Sequence, residues 1–234
     1  MSAVTGDRRP PVSRATGDRH PLVSRVPVPL VKLCGITRRE DAMLAAELGA
    51  WAVGFVFWPE SPRCVDPDRA RAIVEGLPPT VAPVGVFVDA SRDEIERIAT
   101  HVRLAVVQLH GDETPALARS LTRRVLKAAH VEACTADRLR EWEGIPLLLD
   151  AHDPARRGGT GQTIDWHAAR AIAAGRAVVL AGGLRPENVA RAIETVRPVA
   201  VDVSSGVERA PGIKDHARMR ALFEAVQATA EVSR

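Results

Sequence analysis

The sequence predicts a single α/β domain, a (β/α)8 or TIM barrel, behind a disordered N-terminal extension. Three observations carry this reading. Eight short apolar, β-branched runs recur along the chain, each followed by a stretch of helical periodicity. The runs are continuously apolar rather than alternating, as expected of strands buried on both faces in a parallel sheet covered by helices. Eight such units within residues 30–234 match the size of one compact barrel. A doubly wound open sheet is the alternative, but it would carry a glycine-rich dinucleotide fingerprint after its first strand, and Gly35 alone does not make one.

Residues 1–29 read as a disordered basic extension. Val4–Arg14 and Ala15–Arg25 form a tandem repeat, identical at eight of eleven positions, in which Pro and Gly interrupt units too poor in apolar residues to bury anything. Residues 30–234 then read as the catalytic barrel. The expected strands are Leu30–Cys34, Trp51–Phe57, Ala82–Val88, Ala105–Leu109, Val125–Ala129, Ile145–Asp150, Ala177–Leu180 and Val199–Val203. The expected helices are Arg38–Leu48, Pro67–Glu75, Arg92–Thr100, Glu113–Ser120, Thr135–Glu141, Trp166–Ala174, Pro186–Thr195 and Lys214–Ala228. Thr37, Asp66, Ser91, Asp112 and Asp165 precede helical stretches and suit N-caps. Pro67, Pro115 and Pro186 suit first turns, where no N–H is needed.

Charge narrows the functional classes. The five arginines and two aspartates of residues 1–29 hold the whole net charge of +3, so the body is balanced and offers no broad electrostatic footprint for nucleic acid. No apolar run approaches the ~20 residues that span a bilayer, and no signal peptide is evident. Three scattered cysteines, Cys34, Cys64 and Cys134, suggest reduced thiols in a cytoplasmic protein, and no spacing suits a metal. Only three lysines, Lys32, Lys127 and Lys214, stand among 32 basic residues.

In this fold the site forms where the C-terminal ends of the strands meet their loops. Strand six ends on Asp150 and opens into a loop containing Gly158–Gly161. Strand one offers Cys34, which can be a nucleophile, a base or a buried small hydrophobe. Lys32 lies two residues earlier, so both side chains share a face and the ammonium would favour a thiolate. Cys34 and Asp150 together form a candidate proton-transfer pair that supports isomerisation without a metal or redox cofactor. Ala181-Gly182-Gly183 and Ser204-Ser205-Gly206, after strands seven and eight, place small residues where backbone N–H groups can approach a phosphate. Arg63 after a Ser-Pro turn is either a surface arginine or a carboxylate clamp. His110 at the end of strand four is either a loop-bonding histidine or a ligand contact, and Asp202 ends strand eight. A phosphosugar epimerase, lyase or histidine-pathway isomerase, and a non-catalytic phosphosugar binder, remain alternatives at this level.

Taken in order, Lys32-Leu-Cys-Gly-Ile-Thr37, Gly54-Phe-Val-Phe57 with Ser61-Pro-Arg63, Gly85-Val-Phe-Val88, Gln108-Leu-His-Gly-Asp-Glu113, Leu148-Leu-Asp-Ala151 with Gly158-Gly-Thr-Gly161, Leu180-Ala-Gly-Gly-Leu184, Val201-Asp-Val-Ser-Ser-Gly-Val-Glu208 and Pro211-Gly-Ile-Lys-Asp215 resemble the phosphoribosylanthranilate isomerases of tryptophan biosynthesis. The resemblance spans residues 30–226 and every strand-end motif except the fifth. It implies an Amadori rearrangement of N-(5-phosphoribosyl)anthranilate to 1-(2-carboxyphenylamino)-1-deoxyribulose 5-phosphate, by a monomer or homodimer without cofactor, whose partner is the phosphosugar alone. By that resemblance Asp150 is the general acid, Cys34 the general base and Arg63 the anthranilate carboxylate clamp. Gly182, Gly183, Ser204, Ser205 and Gly206 would hold the phosphate, Asp202 a ribose hydroxyl, and His110 would stand near the site. The Gly158–Gly161 loop would be a lid.

Overall fold

The computed structural model describes residues 29–150 and 164–232. The expected extension, Pro29 apart, and the Gly158–Gly161 loop lie outside the described residues. The chain alternates β1 (Leu30–Leu33), α1 (Arg39–Glu47), β2 (Ala52–Val56), α2 (Pro67–Val74), β3 (Ala82–Phe87), α3 (Arg92–Val102), β4 (Val106–Leu109), α4 (Pro115–Ser120), β5 (Arg124–His130), α5 (Ala136–Glu141), β6 (Leu147–Asp150), α6 (Trp166–Ala173), β7 (Val178–Leu180), α7 (Val189–Val196), β8 (Ala200–Val203) and α8 (His216–Val232). Strands β1 to β8 are all parallel and close into a barrel, β8 pairing with β1 in the register Leu30↔Ala200 to Leu33↔Val203. A small antiparallel pair, β9 (Glu208–Ala210) and β10 (Ile213–Lys214), lies between β8 and α8.

Strand parity divides the core in two. Val31, Leu33, Val53, Phe55, Leu147, Leu149, Leu180 and Val201 point outward and pack with helix residues such as Leu44, Ile95, Val189 and Met219. The other parity builds a cluster of strand residues only: Ala52, Val84, Val106, Leu126, Leu148, Val179 and Ala200. Only an inward-facing layer escapes the helices, so this cluster is the apolar plug of the barrel floor. Two residues further along the same parity stand Lys32, Gly54, Val86, Gln108, Asp150, Ala181 and Asp202, and the next step reaches Cys34, His110 and Ser204. The site is the upper continuation of the plug, where polar side chains replace apolar ones.

All eight expected strands form, with no end shifted by more than two residues. Asp66, Ser91 and Asp165 cap α2, α3 and α6 as expected, each side chain accepting backbone N–H bonds. The other two expected caps do not. Arg38 occupies the N-cap of α1 without a side-chain bond, and the Thr37 hydroxyl instead donates to the Gly212 carbonyl at 2.5 Å. Helix α4 is capped by Thr114 rather than Asp112 and starts at Pro115, because Glu113 turns inward to meet Lys127. Pro186 precedes α7 in a turn held by Asn188, whose Oδ1 accepts the Arg185 N–H at 2.9 Å. The last helix begins at His216 rather than Lys214, since Ile213–Lys214 are taken up by β10, and Asp215 accepts the N–H groups of Ala217 and Arg218.

Candidate active site

A cleft of about 520 Å³ opens at the C-terminal ends of the strands, a size suited to a small-molecule ligand. Nine of the ten residues singled out in the sequence line it: Cys34, Arg63, His110, Asp150, Gly182, Gly183, Asp202, Ser204 and Ser205. The tenth, Gly206, lies beneath, where a Cβ would collide with the carbonyl oxygen of Leu184 in the β7 loop. Gly206 therefore lets the β7 and β8 loops touch. Gly206→Ala is expected to part them and raise the KM for a phosphorylated ligand about ten-fold or more, with Tm altered far less; an unchanged KM would separate this contact from ligand binding.

Lys32 and Asp202 are register partners on neighbouring strands, so their side chains share the barrel interior and form an ion pair, Nζ to Oδ2 2.8 Å. The lysine is fully buried. Despite the burial, Asp202 and Cys34 beside it push its pKa up. Gly54, opposite on β2, leaves the space that Cys34 and Lys32 occupy: a Cβ there would stand 2.9 Å from Cys34 Sγ and 3.2 Å from Lys32 Nζ. Burial pushes the Cys34 thiol up, Asp202 adds to that, and Lys32 and Lys214 oppose it only in part. The sequence argument that Lys32 would favour the thiolate is thus corrected: its effect is present, but desolvation is larger.

Asp150 ends β6, 5% exposed, and its Oδ2 lies 3.3 Å from His110 Nε2. His110 is oriented from behind, its Nδ1 meeting the Gln108 amide at 2.9 Å, so Nε2 is the ring nitrogen presented to the carboxyl. The loop carrying His110 is fixed by a buried knot. Lys127 Nζ donates to the Gly111 carbonyl at 2.6 Å and to Glu113 at 2.9 Å, and Glu113 accepts the Asp89 and Gly111 N–H groups. Among the described residues, Asp202 Oδ1 and Gln108 Oε1 are buried acceptors of cleft-lining residues that make no hydrogen bond. Such atoms are costly to leave unpaired and suit hydroxyl or amine groups of a ligand.

The β2 loop folds back on its own strand through a bridge between Val56 and Cys64, with the Ser61 hydroxyl accepting the Arg63 N–H at 3.2 Å. That brings Arg63 to the cleft wall. Its Nε and Nη2 edge is taken by Glu208, at 3.0 and 2.7 Å, and Glu208 in turn accepts from Lys214 Nζ at 2.9 Å. Lys214 also donates to the carbonyls of Cys34 at 2.6 Å and Ser204 at 3.2 Å. Burial alone would raise the Glu208 carboxyl, but Arg63 and Lys214 outweigh it and hold it below the usual range. Burial pulls Lys214 down against the opposing pull of Glu208. Glu208 and Gln108 were not marked as site residues in the sequence. Lys214 was marked by the scarcity of lysine and by its place in the Pro211–Asp215 motif, without a role.

After β7, Gly182 and Gly183 take φ of +83° and +63°, and the Gly183 carbonyl accepts from the Asn188 side chain at 3.0 Å. Ser205 opens a single 3-10 turn, Ser205–Val207, after β8. No group of three or more His, Cys, Asp or Glu placed to hold a metal ion occurs among the described residues.

A closed eight-stranded barrel with thiol, carboxyl and guanidinium gathered at the strand ends defines a (β/α)8-barrel enzyme. The sequence profile of the N-(5'phosphoribosyl)anthranilate (PRA) isomerases matches residues 31–225. The chain is 50% identical over 192 residues to the N-(5'-phosphoribosyl)anthranilate isomerase of Trichlorobacter lovleyi, covering 81% of this chain and 94% of that protein. Among solved structures, the phosphoribosyl anthranilate isomerase of Thermotoga maritima gives a TM-score of 0.80 at 44% identity, covering 86% of this chain and 99% of that one. A phosphoribosyl anthranilate isomerase in complex with reduced 1-(o-carboxyphenylamino)-1-deoxyribulose 5-phosphate gives 0.74 at 42%, with coverages of 86% and 99%. The chain belongs to the phosphoribosylanthranilate isomerase family.

Proposed function

We propose that this cleft performs the isomerisation of its family, the Amadori rearrangement of N-(5-phosphoribosyl)anthranilate in tryptophan biosynthesis, by proton transfer between Asp150, Cys34 and the sugar. The observation that carries the reading is that Cys34 and Asp150 line one cleft together with Arg63 and the β7 and β8 loops.

In the first step the Asp150 carboxyl gives its proton to the furanose ring oxygen, the bond from that oxygen to C1′ breaks, and the nitrogen lone pair forms a C1′ iminium. In the second, the Cys34 thiolate takes the C2′ proton, and the electrons of that C–H bond neutralise the iminium as an enolamine. The enolamine becomes the ketone when C1′ gains a proton and the C2′ hydroxyl loses one. The proton gained by Cys34 and the one lost by Asp150 balance through exchange with water before the next turnover. Lys32 keeps positive charge beside the thiolate while it exists. Arg63 takes the anthranilate carboxylate, Gly182, Gly183, Ser204 and Ser205 take the phosphate, and Asp202 Oδ1 accepts from a ribose hydroxyl. His110 orients the Asp150 carboxyl.

Anthranilate fluorescence reports the reaction. The purified chain is expected to turn over phosphoribosylanthranilate with a time-dependent loss of that fluorescence. Binding of the substrate without any loss would leave a phosphosugar-binding protein and overturn the reading.

A further inference from the structure

We infer that Glu208 is a positioning residue that makes the cleft selective for a carboxylated substrate, by holding one edge of Arg63 so that its other donors face the ligand. The inference rests on the reading that Arg63 takes the substrate carboxylate. Arg63 carries a long, rotamer-rich side chain on a loop, and such a chain loses freedom on binding unless it is already held. Glu208 holds it with three short contacts through Nε and Nη2, while Nη1 makes no hydrogen bond among the described residues. The Glu208 side chain is only 4% exposed, so this is a built contact rather than a surface pairing.

A carboxylate beside the guanidinium would ordinarily repel a second carboxylate. Lys214 removes that objection. With its own side chain fully buried, it bonds Glu208 Oε1, the oxygen that Arg63 Nε also contacts, so the three groups together carry one net positive charge. Lys214 also bonds the carbonyls of Cys34 and Ser204. The carboxylate clamp, the proposed base and the proposed phosphate loop are thereby fixed to one buried cation.

The test compares two stable ligands, reduced 1-(o-carboxyphenylamino)-1-deoxyribulose 5-phosphate and the same compound lacking the ring carboxylate. Dissociation constants of both are measured by calorimetry for the wild type, Arg63→Ala, Glu208→Gln and Glu208→Asp. A merely structural role would weaken both ligands equally; a positioning role changes their ratio. The wild-type preference for the carboxylated ligand is expected to fall about ten-fold in Glu208→Gln, the scale of one charge-assisted hydrogen bond. Glu208→Asp keeps the charge that Lys214 requires but is one methylene shorter, and it too is expected to lose preference while melting near the wild type, which covers a Glu208→Gln chain that does not fold. Loss of preference in Arg63→Ala with full preference in both Glu208 variants overturns the inference. Full preference in Arg63→Ala overturns the reading of Arg63 beneath it.

Discussion

Replacing Cys34 with Ala, or Asp150 with Asn, is expected to lower kcat by at least about 10²-fold, the usual cost of losing a general base or acid. Both side chains are small and sit at a cleft surface, so the folded chain should survive: Asp150→Asn keeps the shape, and Cys34→Ala removes a single sulfur at a half-buried position. Purified variants with wild-type circular dichroism and near wild-type turnover would remove these residues from the chemistry. The pH profile adds a second reading. Cys34 acts as a thiolate, so the dependence of kcat/KM on pH must bend downward where that thiol titrates. Burial pushes the thiol up, which places the bend above the ordinary thiol value of about 8.5. In the Cys34→Ala chain the residual activity should lack that bend.

Lys214→Met is expected to destabilise the folded chain markedly. The substitution nearly conserves volume but strips a fully buried ammonium from Glu208 and from the carbonyls of Cys34 and Ser204. A buried ion pair adds little beyond a well-packed apolar substitute, yet losing one partner leaves the other stranded. Arg63 still faces Glu208, so the low end of the range applies, about 3 kcal/mol. For a domain of this size that is a fall in Tm of roughly 6–12 °C, read by calorimetry and by a lower urea midpoint at constant m. A paired Lys214→Met, Glu208→Gln chain should recover part of the loss, the mark of direct coupling. A single variant within 1 kcal/mol of the wild type would mean that the three bonds do not bear on folding.

The barrel was legible because its signals are local. A run such as Leu147-Leu148-Leu149 ending on Asp150 declares a buried strand and a polar mouth without reference to any other part of the chain. The same holds for caps whose helix starts immediately after them, as at Asp66 and Ser91. The misread starts have tertiary causes. Glu113 leaves the first turn of α4 for Lys127, and Lys214 leaves α8 for a two-residue strand whose partner lies at Glu208–Ala210. Lys127 lies 14 residues beyond Glu113, and Glu208–Ala210 precede the expected start of α8, so neither partner falls within the helix it disturbs.

The site shows the same division. Residues at strand ends were found because the fold itself names those positions. Glu208 was not, because its meaning comes from Arg63, 145 residues away. A usable signal was nevertheless present in composition. All three lysines are buried, each against an acid: Lys32 with Asp202, Lys127 with Glu113 and Lys214 with Glu208. Where a chain uses arginine almost everywhere else, a lysine marks a place that takes a compact point charge instead of a planar fork.

The most direct test is a crystal structure of this chain with reduced 1-(o-carboxyphenylamino)-1-deoxyribulose 5-phosphate. The account predicts the ligand's C2′ about 3–3.5 Å from Cys34 Sγ, its opened-ring oxygen in hydrogen-bond reach of Asp150, its carboxylate on the free donors of Arg63 and its phosphate against Gly183 and Ser205. A ligand bound with Cys34 out of reach of C2′, or Asp150 out of reach of the opened-ring oxygen, would contradict it.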